Sequence, residues 1–140
     1  TLDQKDMGRE DFTKIPGGLP GVETRGELIY SYGVAKRRIS AARMCRCLSE
    51  NPARLYGLFP RKGVLRPGSD ADIVVYDPDL SHVIRADDCV ANVDYNPYEG
   101  FVTVGGIRQV WLRGELSVSE GQVLAETPAG RYMARGKNSL

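Results

Sequence analysis

The first half of the chain carries apolar residues at helical spacing, after an opening segment that interrupts regular structure. Residues 1–21 are predicted to be irregular, because residues 14–21 hold two prolines and three glycines. From Val22 to Tyr32 the apolar side chains favour one face, which predicts a helix that Gly26 weakens. The opening segment is either an exposed surface loop or the backbone wall of a pocket, and composition does not separate these two interpretations.

Two further helices are predicted from their capping residues. Ser40 is a residue type expected at an N-cap, and residues 41–49 follow it with apolar positions at helix-like spacing. Asn51-Pro52 predicts the start of a third, short helix, with asparagine as the cap and proline at the first helical position. Gly57 is expected to end this helix. Three apolar residues are expected to pack it down: Leu55, Tyr56 and Leu58.

After Pro60 the pattern changes to one of turns and strands. Pro67-Gly68 suits the centre of a type II turn, whose second central position needs a positive φ. Residues 73–76 are a short, mostly β-branched run, which predicts a strand covered on both faces. Asp77-Pro78 is expected to end that strand, because proline cannot donate to the ladder.

Short strands are predicted in the last part of the chain, at residues 82–84, 107–112, 116–118 and 122–124. Arg113-Gly114 and Glu120-Gly121 separate the last three and predict two tight hairpins. The basic tail, residues 130–140, is predicted to wrap a neighbour or to stay mobile. The order of loop, helices and strands is unlike a self-contained alternating α/β unit. It fits the last helices of a barrel enzyme, followed by a small β-sandwich completed elsewhere in the parent chain.

Charge and composition argue against two classes of partner. The chain has 140 residues, 41% hydrophobic and 26% charged, with a formal net charge of +1. A nucleic-acid-binding surface needs a strong excess of lysine and arginine. No apolar run approaches the roughly 18 residues of a membrane span, and residues 1–6 contain no stretch suited to a secretory signal. The chain also lacks an initiator methionine, as a partial polypeptide would. A cytoplasmic location is expected.

The three cysteines are interpreted as free thiols. Cys45, Cys47 and Cys89 make an odd count, so they cannot form a complete set of internal disulfides. Cys45 and Cys47 would point in nearly opposite directions on a helix and could not grip one ion. We therefore expect buried or half-buried free thiols in a reducing compartment.

The sequence offers few residues for catalysis or metal binding. Its single histidine, His82, lies between Ser81 and Val83 in a presumed strand and is not expected to bind a metal, since a hydrolytic zinc site needs about three protein ligands. Three aspartates could mimic an oxygen-rich site, but turn formation and strand-end capping explain them better: Asp70, Asp72 and Asp77. No Ser/His/Asp or Cys/His set is evident for covalent catalysis.

Four segments of the sequence occur in an order and at a spacing that chance does not explain. They are GREDFTKIP at residues 8–16 with GLPGVE at 18–23, NPARLYGL at 51–58 with PRKG at 60–63, GSDADIVVYDP at 68–78, and NVDYNPYEG at 92–100. Together they resemble dihydropyrimidinases and hydantoinases over about residues 8–135. The 68–78 strand is shared by the wider amidohydrolase superfamily, whereas the 12–23 and 92–100 loops narrow the resemblance to this family.

The resemblance implies an α/β parent: a metal-dependent (β/α)₈ barrel with a flanking β-sandwich built from both chain ends. Residues 1–59 would be the end of the barrel, residues 60–127 a portion of the sandwich and residues 128–140 a C-terminal tail. The family hydrolyses cyclic amides with two divalent metals, usually zinc, that activate water. Four histidines, a carboxylated lysine and an aspartate hold these metals, all upstream of this stretch, with the catalytic aspartate just before its start.

The resemblance therefore assigns no catalytic and no metal-binding residue to this chain, which alone is expected to be inactive and free of zinc. The expected partners are the remainder of the parent chain, a small cyclic amide substrate and further copies of the parent in a homo-oligomer. Without its other strands the piece is expected to be marginally stable.

The backbone of Pro16, Gly17 and Gly18 is the one expected substrate contact. Relatives usually carry asparagine where this chain has Gly17, with its backbone placed to hydrogen-bond the amide edge of the substrate ring. A backbone contact survives this change, but any contact from the asparagine side chain is lost and the loop gains freedom.

Two other interpretations remain open. Collapsin response mediator proteins share the fold and similar C-terminal motifs, yet lack metal ligands and act as scaffolds. Asn96-Pro97-Tyr98 favours the bacterial enzymes, because Pro-Tyr is commonly replaced in those scaffolds. The chain could also act only in assembly, as an inactive fragment with exposed strand edges.

Overall fold

The computed structural model describes residues 6–124, 126 and 130–139. Predictions for residues 1–5, 125, 127–129 and 140 lie outside these described residues. Helical segments come first and strands follow, as the sequence predicted. The strands form one small antiparallel sheet in the order β1-β2-β3-β4. The described residues contain no helix long and apolar enough to cross a membrane.

The first helix, α1, spans Arg25–Ile29 and continues into a π-helical turn, Tyr30–Val34. The predicted helix over residues 22–32 is therefore right in position but begins three residues too early. The buried Ser31 hydroxyl lies 2.7 Å from the Glu27 carbonyl oxygen and 2.9 Å from the Val104 backbone nitrogen. A hydroxyl that bonds to the carbonyl four residues earlier bends a helix, and here it also ties α1 to the sheet.

The predicted break at Asn51 is wrong. Helix α2, Ala41–Cys45, passes through a π-helical turn, Arg46–Glu50, directly into helix α3, Asn51–Leu55. Asn51 has helical dihedral angles and donates its N–H to the carbonyl of Arg46, so it is not a cap. A wider turn leads into Pro52, which lacks an N–H and whose ring would crowd the preceding turn of a regular α-helix.

Both predicted helix ends at Ser40 and Gly57 are confirmed. The Ser40 side chain accepts a hydrogen bond from the backbone N–H of Arg43 at 3.1 Å. Gly57 has a φ of +66° and ends α3. The packing prediction was wrong in part, because Leu55 and Tyr56 are exposed, while Leu58 is half-buried and Ala53 is the buried residue of α3.

Strand β1 spans Ile73–Val83, so Asp77-Pro78 does not end it and residues 82 and 83 belong to the same strand. The register shifts between Asp77 and Ser81, and the irregularity contains Pro78, whose missing N–H then costs no regular ladder bond. The prediction that this strand is covered on both faces also fails within the described residues, because Val74 and Val75 are exposed.

Strand β2 spans Val102–Leu112 and begins before the predicted residue 107. Gly105 and Gly106 interrupt the apolar pattern there, so the sequence did not predict the first part of the strand. Gly105 has a φ of +78°, and a Cβ placed on it would lie 2.6 Å from the Tyr76 ring and 2.8 Å from the Tyr30 ring. Only glycine lets this part of the strand approach the two rings, whose centroids are 4.4 Å apart.

Both predicted hairpins are confirmed. Strands β3, Glu115–Ser119, and β4, Gln122–Val123, complete the antiparallel meander. Arg113-Gly114 and Glu120-Gly121 have positive φ at both positions, as type I′ turns require. The predicted Pro67-Gly68 turn is also present, with Gly68 at a φ of +89° and Ser69 N–H donating to the Arg66 carbonyl.

The tail, residues 130–139, has neither helix nor strand and lies against the end of α3. Gly136 N–H donates to the Gly57 carbonyl at 2.8 Å, and Ser139 N–H donates to the Arg54 carbonyl at 3.2 Å. The described part of the tail therefore contacts its own chain.

Candidate functional site

We call residues 16–23 the candidate substrate loop, and a compact turn at residues 11–15 precedes it. Asp11 Oδ1 accepts hydrogen bonds from the Thr13 side chain at 2.7 Å and from the Thr13 backbone at 3.1 Å. These hydrogen bonds from Thr13 hold the pKa of Asp11 below its ordinary value. The short 3₁₀ turn Phe12–Lys14 follows, and its last backbone bond runs from Ile15 to Phe12.

Beyond this turn the loop is open. Gly17 and Gly18 are exposed, and a Cβ on either would meet nothing within 4 Å. Gly18 has a φ of +81°, a conformation that favours glycine. Pro16 is half-buried. Two of the three residues predicted to contact substrate are therefore exposed, and the contact of all three with a substrate remains a prediction.

The loop then crosses a second loop, residues 84–101, which we call the platform loop. Leu19 lines three cavities of about 400, 570 and 400 Å³ with residues of the platform loop, and Pro20 and Gly21 line the first and the third. Glu23 joins the two loops: its Oε1 accepts from the Val90 N–H at 3.0 Å and its Oε2 from the Ala91 N–H at 3.3 Å. The sequence did not predict this contact.

The platform loop is held by its own side chains. Asn96 is buried; its Oδ1 accepts from the Tyr98 N–H at 2.9 Å, and its Nδ2 donates to the Cys89 sulfur at 3.4 Å. Glu99 Oε2 accepts from the Ala86 N–H at 2.7 Å. Buried Ile84 closes the loop through two backbone hydrogen bonds, of which one joins it to Gly100.

The single histidine joins α1 to the sheet. His82 Nε2 lies 3.2 Å from Glu27 Oε2, and His82 Nδ1 lies 3.0 Å from the Thr103 hydroxyl. The expectation that no Ser/His/Asp-like set exists missed this Glu/His/Thr arrangement, because its members are far apart in sequence. Thr103 is 0% exposed and its hydroxyl also lies 3.2 Å from the His82 carbonyl. A hydroxyl without solvent access cannot attack a substrate, so this arrangement is structural.

Tyr76 lies beside the same helix. Its hydroxyl is buried and has no hydrogen-bond partner among the described residues. Burial raises the pKa of Tyr76 above its ordinary range, with smaller contributions from Glu27 and Tyr30. The tyrosine therefore stays neutral and acts as a packing group.

Asp70 and Asp72 do not form an oxygen-rich metal site, because the Lys62 ammonium lies between them. Lys62 Nζ is 2.9 Å from Asp70 Oδ2 and also contacts Asp72 Oδ2. Burial lowers the pKa of Lys62, but the hydrogen bonds and charges of the two aspartates outweigh it and raise this pKa overall. The hydrogen bond from Lys62, with help from Arg61, lowers the pKa of Asp70. Asp72 Oδ1 accepts from the Arg113 N–H at 2.9 Å.

Asp77 is likewise engaged within the fold. Its Oδ1 accepts from the Asp79 N–H at 2.9 Å, and its Oδ2 lies 2.9 Å from Arg108. The predicted capping of a strand end is wrong for Asp77, which lies inside β1, whereas Asp70 and Asp72 precede that strand. Among the described residues, no three histidine, cysteine or acidic side chains are grouped as metal ligands would be.

The cysteines are free thiols, but Cys45 and Cys47 are exposed, which corrects the expectation that they are buried or half-buried. The π-helical turn begins at Arg46, which alters the facing of residues around it relative to a regular helix. Cys89 is half-buried, as expected.

A cavity of about 690 Å³ lies between α2–α3 and the sheet. Its lining is mostly apolar and includes Pro52, Tyr56, Val74, Val110, Trp111 and Leu112. Lys62 and its two aspartates form part of one wall. The cavity is separate from the candidate substrate loop.

Comparison with known proteins shows what the chain resembles. It is 42% identical over 134 residues to the D-hydantoinase of Geobacillus stearothermophilus, which covers 96% of this chain and 28% of that protein. It is 43% identical to the D-hydantoinase of Streptomyces coelicolor, over 94% of this chain and 28% of that protein. The chain therefore spans less than a third of the length of these relatives.

Solved structures agree with this similarity. The dihydropyrimidinase of Brevibacillus agri matches with a TM-score of 0.92 and 42% identity, over 98% of this chain and 30% of that structure. The L-hydantoinase of Arthrobacter aurescens matches less well, with a TM-score of 0.81 and 33% identity, over 89% of this chain and 28% of that structure. These findings confirm the predicted resemblance. The profile of the amidohydrolase family matches residues 21–117, and the chain accordingly belongs to the amidohydrolase family.

Proposed function

We propose that the intact protein hydrolyses the ring of cyclic amides, either hydantoins or dihydropyrimidines, and that this chain is its C-terminal part. The observation that carries the proposal is the 42% identity to a D-hydantoinase across 96% of the chain. The TM-score of 0.92 to a dihydropyrimidinase over 98% of the chain supports it independently of any single motif.

Within the intact protein, residues 1–59 would end a (β/α)₈ barrel, residues 60–127 would contribute strands to a β-sandwich, and residues 128–140 would form a tail. The change from helices, ending at Leu55, to strands, beginning at Ile73, supports a boundary between these positions. Exposed apolar residues on β1 and the 690 Å³ cavity beside it support the remainder of the protein as a partner.

The two divalent ions of the proposed reaction, which we expect to be zinc, would be held outside this chain. The described residues do not fit such a centre, because His82 is bonded to Glu27 and Thr103, and Asp70 and Asp72 are paired with Lys62. In the intact enzyme the metals would polarise the ring carbonyl and supply hydroxide. This chain would contribute the accessible backbone of Pro16, Gly17 and Gly18, which would bind the amide edge of the ring.

The proposal extends to the assembly and location of the protein. We expect the intact enzyme to be a homo-oligomer. We also expect a cytoplasmic location, which the free state of all three cysteines supports.

The direct test expresses the intact protein and this chain separately and measures ring opening of hydantoin, phenylhydantoin and dihydrouracil, together with metal content. We expect ring opening and bound metal from the intact protein, loss of activity on metal removal and recovery on zinc addition. We expect neither activity nor stoichiometric zinc from the 140-residue chain alone. An intact protein that binds no metal and opens none of the rings would contradict the proposal and favour a scaffold.

A further inference from the structure

We propose that Glu23 is a positioning residue, which holds the candidate substrate loop on the platform loop and thereby sets substrate affinity. This inference rests on the proposed function, because it assigns a consequence to the placement of Pro16, Gly17 and Gly18. Glu23 itself would not touch the substrate.

The first step is the geometry of the contact. Each Glu23 carboxylate oxygen accepts from a different backbone N–H, Val90 at 3.0 Å and Ala91 at 3.3 Å. A carboxylate that accepts from backbone N–H groups forms charge-assisted bonds, which are stronger than neutral ones. The two bonds constrain both position and orientation, because they use both oxygens of one rigid group.

The second step is that burial of side chains contributes little to holding residues 19–22. Leu19 is 70% exposed and Val22 is 83% exposed, so neither side chain anchors the loop by burial. A Cβ on Gly21 would lie 3.8 Å from the Tyr98 ring, which is ordinary contact. Cavities of about 400–570 Å³ lie beside Leu19. Glu23 adds two specific bonds between the loops.

The third step is that the platform loop is firm enough to serve as an anchor. Buried Asn96 bonds both the Tyr98 backbone and the Cys89 side chain, and Glu99 caps the Ala86 N–H. The Tyr98 and Phe101 rings pack edge to face, with centroids 5.8 Å apart. A flexible segment bonded to a firm loop loses much of its freedom before a ligand arrives.

The consequence falls on binding. Gly17 allows many backbone conformations, and ordering it costs conformational entropy that substrate binding must offset. Loss of the Glu23 hydrogen bonds would increase the entropy cost of ordering the loop. The increase would be the same for the bound substrate and for the transition state, so KM would rise while kcat would change little. Glu23 and both bonds are exposed to solvent, so their loss corresponds to a rise in KM of about threefold.

The test uses the intact enzyme and compares Glu23→Ala and Glu23→Gln with Glu10→Gln, a neutralised control at an exposed position of the same segment. We expect Glu23→Ala to raise KM about threefold with kcat unchanged. Glu23→Gln keeps one acceptor oxygen and should fall between wild type and alanine, while Glu10→Gln should match wild type. An unchanged KM in Glu23→Ala, or a fall confined to kcat, would overturn the inference.

A second variant removes a donor of the same contact instead of its acceptor. Val90→Pro removes one donor, and Cys89 has a φ of −81° and a ψ of 142°, a conformation that a following proline accepts. Val90→Pro should raise KM in the wild-type background and add little in Glu23→Ala. Full additivity would show that the two residues do not act through one bond.

Amide hydrogen exchange separates this inference from the proposed function. In the intact protein, Glu23→Ala should speed exchange of the Val90 and Ala91 amides, which donate to Glu23, relative to Glu10→Gln, whether or not the protein opens cyclic amides. Faster exchange without any ring-opening activity in wild type would support the loop contact and refute the proposed function. Unchanged exchange in these residues would refute the contact itself, whatever the activity.

Discussion

Replacement of Gly105 by alanine tests how closely α1 and the sheet approach each other. The added Cβ would lie 2.6 Å from the Tyr76 ring and 2.8 Å from the Tyr30 ring. Neither ring can move away easily, because the two rings pack against each other with centroids 4.4 Å apart. The substitution also places a Cβ on a residue with a φ of +78°.

The loss of stability has two components that a matched control separates. A left-handed conformation costs an L-residue about 1–2 kcal/mol, of which the stiffer unfolded chain of alanine returns about 0.4–1 kcal/mol. Crowding of two packed rings adds about 1–3 kcal/mol. Gly114→Ala has a similar φ of +85° but meets nothing within 4 Å, so it carries only the first component. We therefore expect Gly105→Ala to lose about 1–3 kcal/mol more than Gly114→Ala.

The assay is equilibrium urea unfolding of the chain, followed by far-ultraviolet circular dichroism and by fluorescence of its one tryptophan, Trp111 on β2. Gly105→Ala should have the lower midpoint at an unchanged urea dependence. Equal midpoints for Gly105→Ala and Gly114→Ala would show that the rings do not constrain this position, and would refute the argument from close approach.

Three further predictions concern a helix cap, an ion-pair cluster and the candidate substrate loop. Ser40→Ala should lose about 1 kcal/mol of unfolding free energy, because the cap to Arg43 is removed; an unchanged urea midpoint would contradict this. Lys62→Met should destabilise the chain at neutral pH by leaving two carboxylates side by side. Since the folded-state pKa of Asp70 is lowered, its stabilising contribution is present above the ordinary value of 3.8 and is lost as pH falls through the lower folded value. Wild type should therefore lose more stability than Lys62→Met on acidification through that range, and parallel pH profiles would count against the pairing. In the intact enzyme, Gly17→Asn should change KM more than metal content, and an unchanged substrate profile would argue against the loop assignment.

Much of the local structure could be predicted because each feature depends on a few adjacent residues. Gly57 ends a helix and Arg113-Gly114 turns a hairpin through backbone conformations that glycine adopts easily. The sequence failed where distant residues decide the outcome. Pro52 follows a π-helical turn within a longer helical segment, and Pro78 lies within a strand at a register irregularity.

The candidate site also contains residues that the sequence predicted and contacts that it did not predict. The residues of the substrate loop could be proposed from the sequence, since its prolines and glycines and its resemblance to a family are visible along the chain. The hydrogen bonds from the Val90 and Ala91 backbone to Glu23 could not be predicted. Every residue except proline has a backbone N–H, so the pattern of side chains does not show which of them will bond. The same holds for His82 between Glu27 and Thr103.

The sequence by itself determined the family resemblance, the order of helices before strands, the Ser40 cap and the two hairpins. These features follow from local backbone preferences and from residues in a fixed order. Only the tertiary structure decided which charged side chains pair and that the candidate substrate loop is bonded to the platform loop. Such contacts arise when folding brings together groups that are far apart in sequence, and their energies depend on distance and burial that the order of residues does not contain.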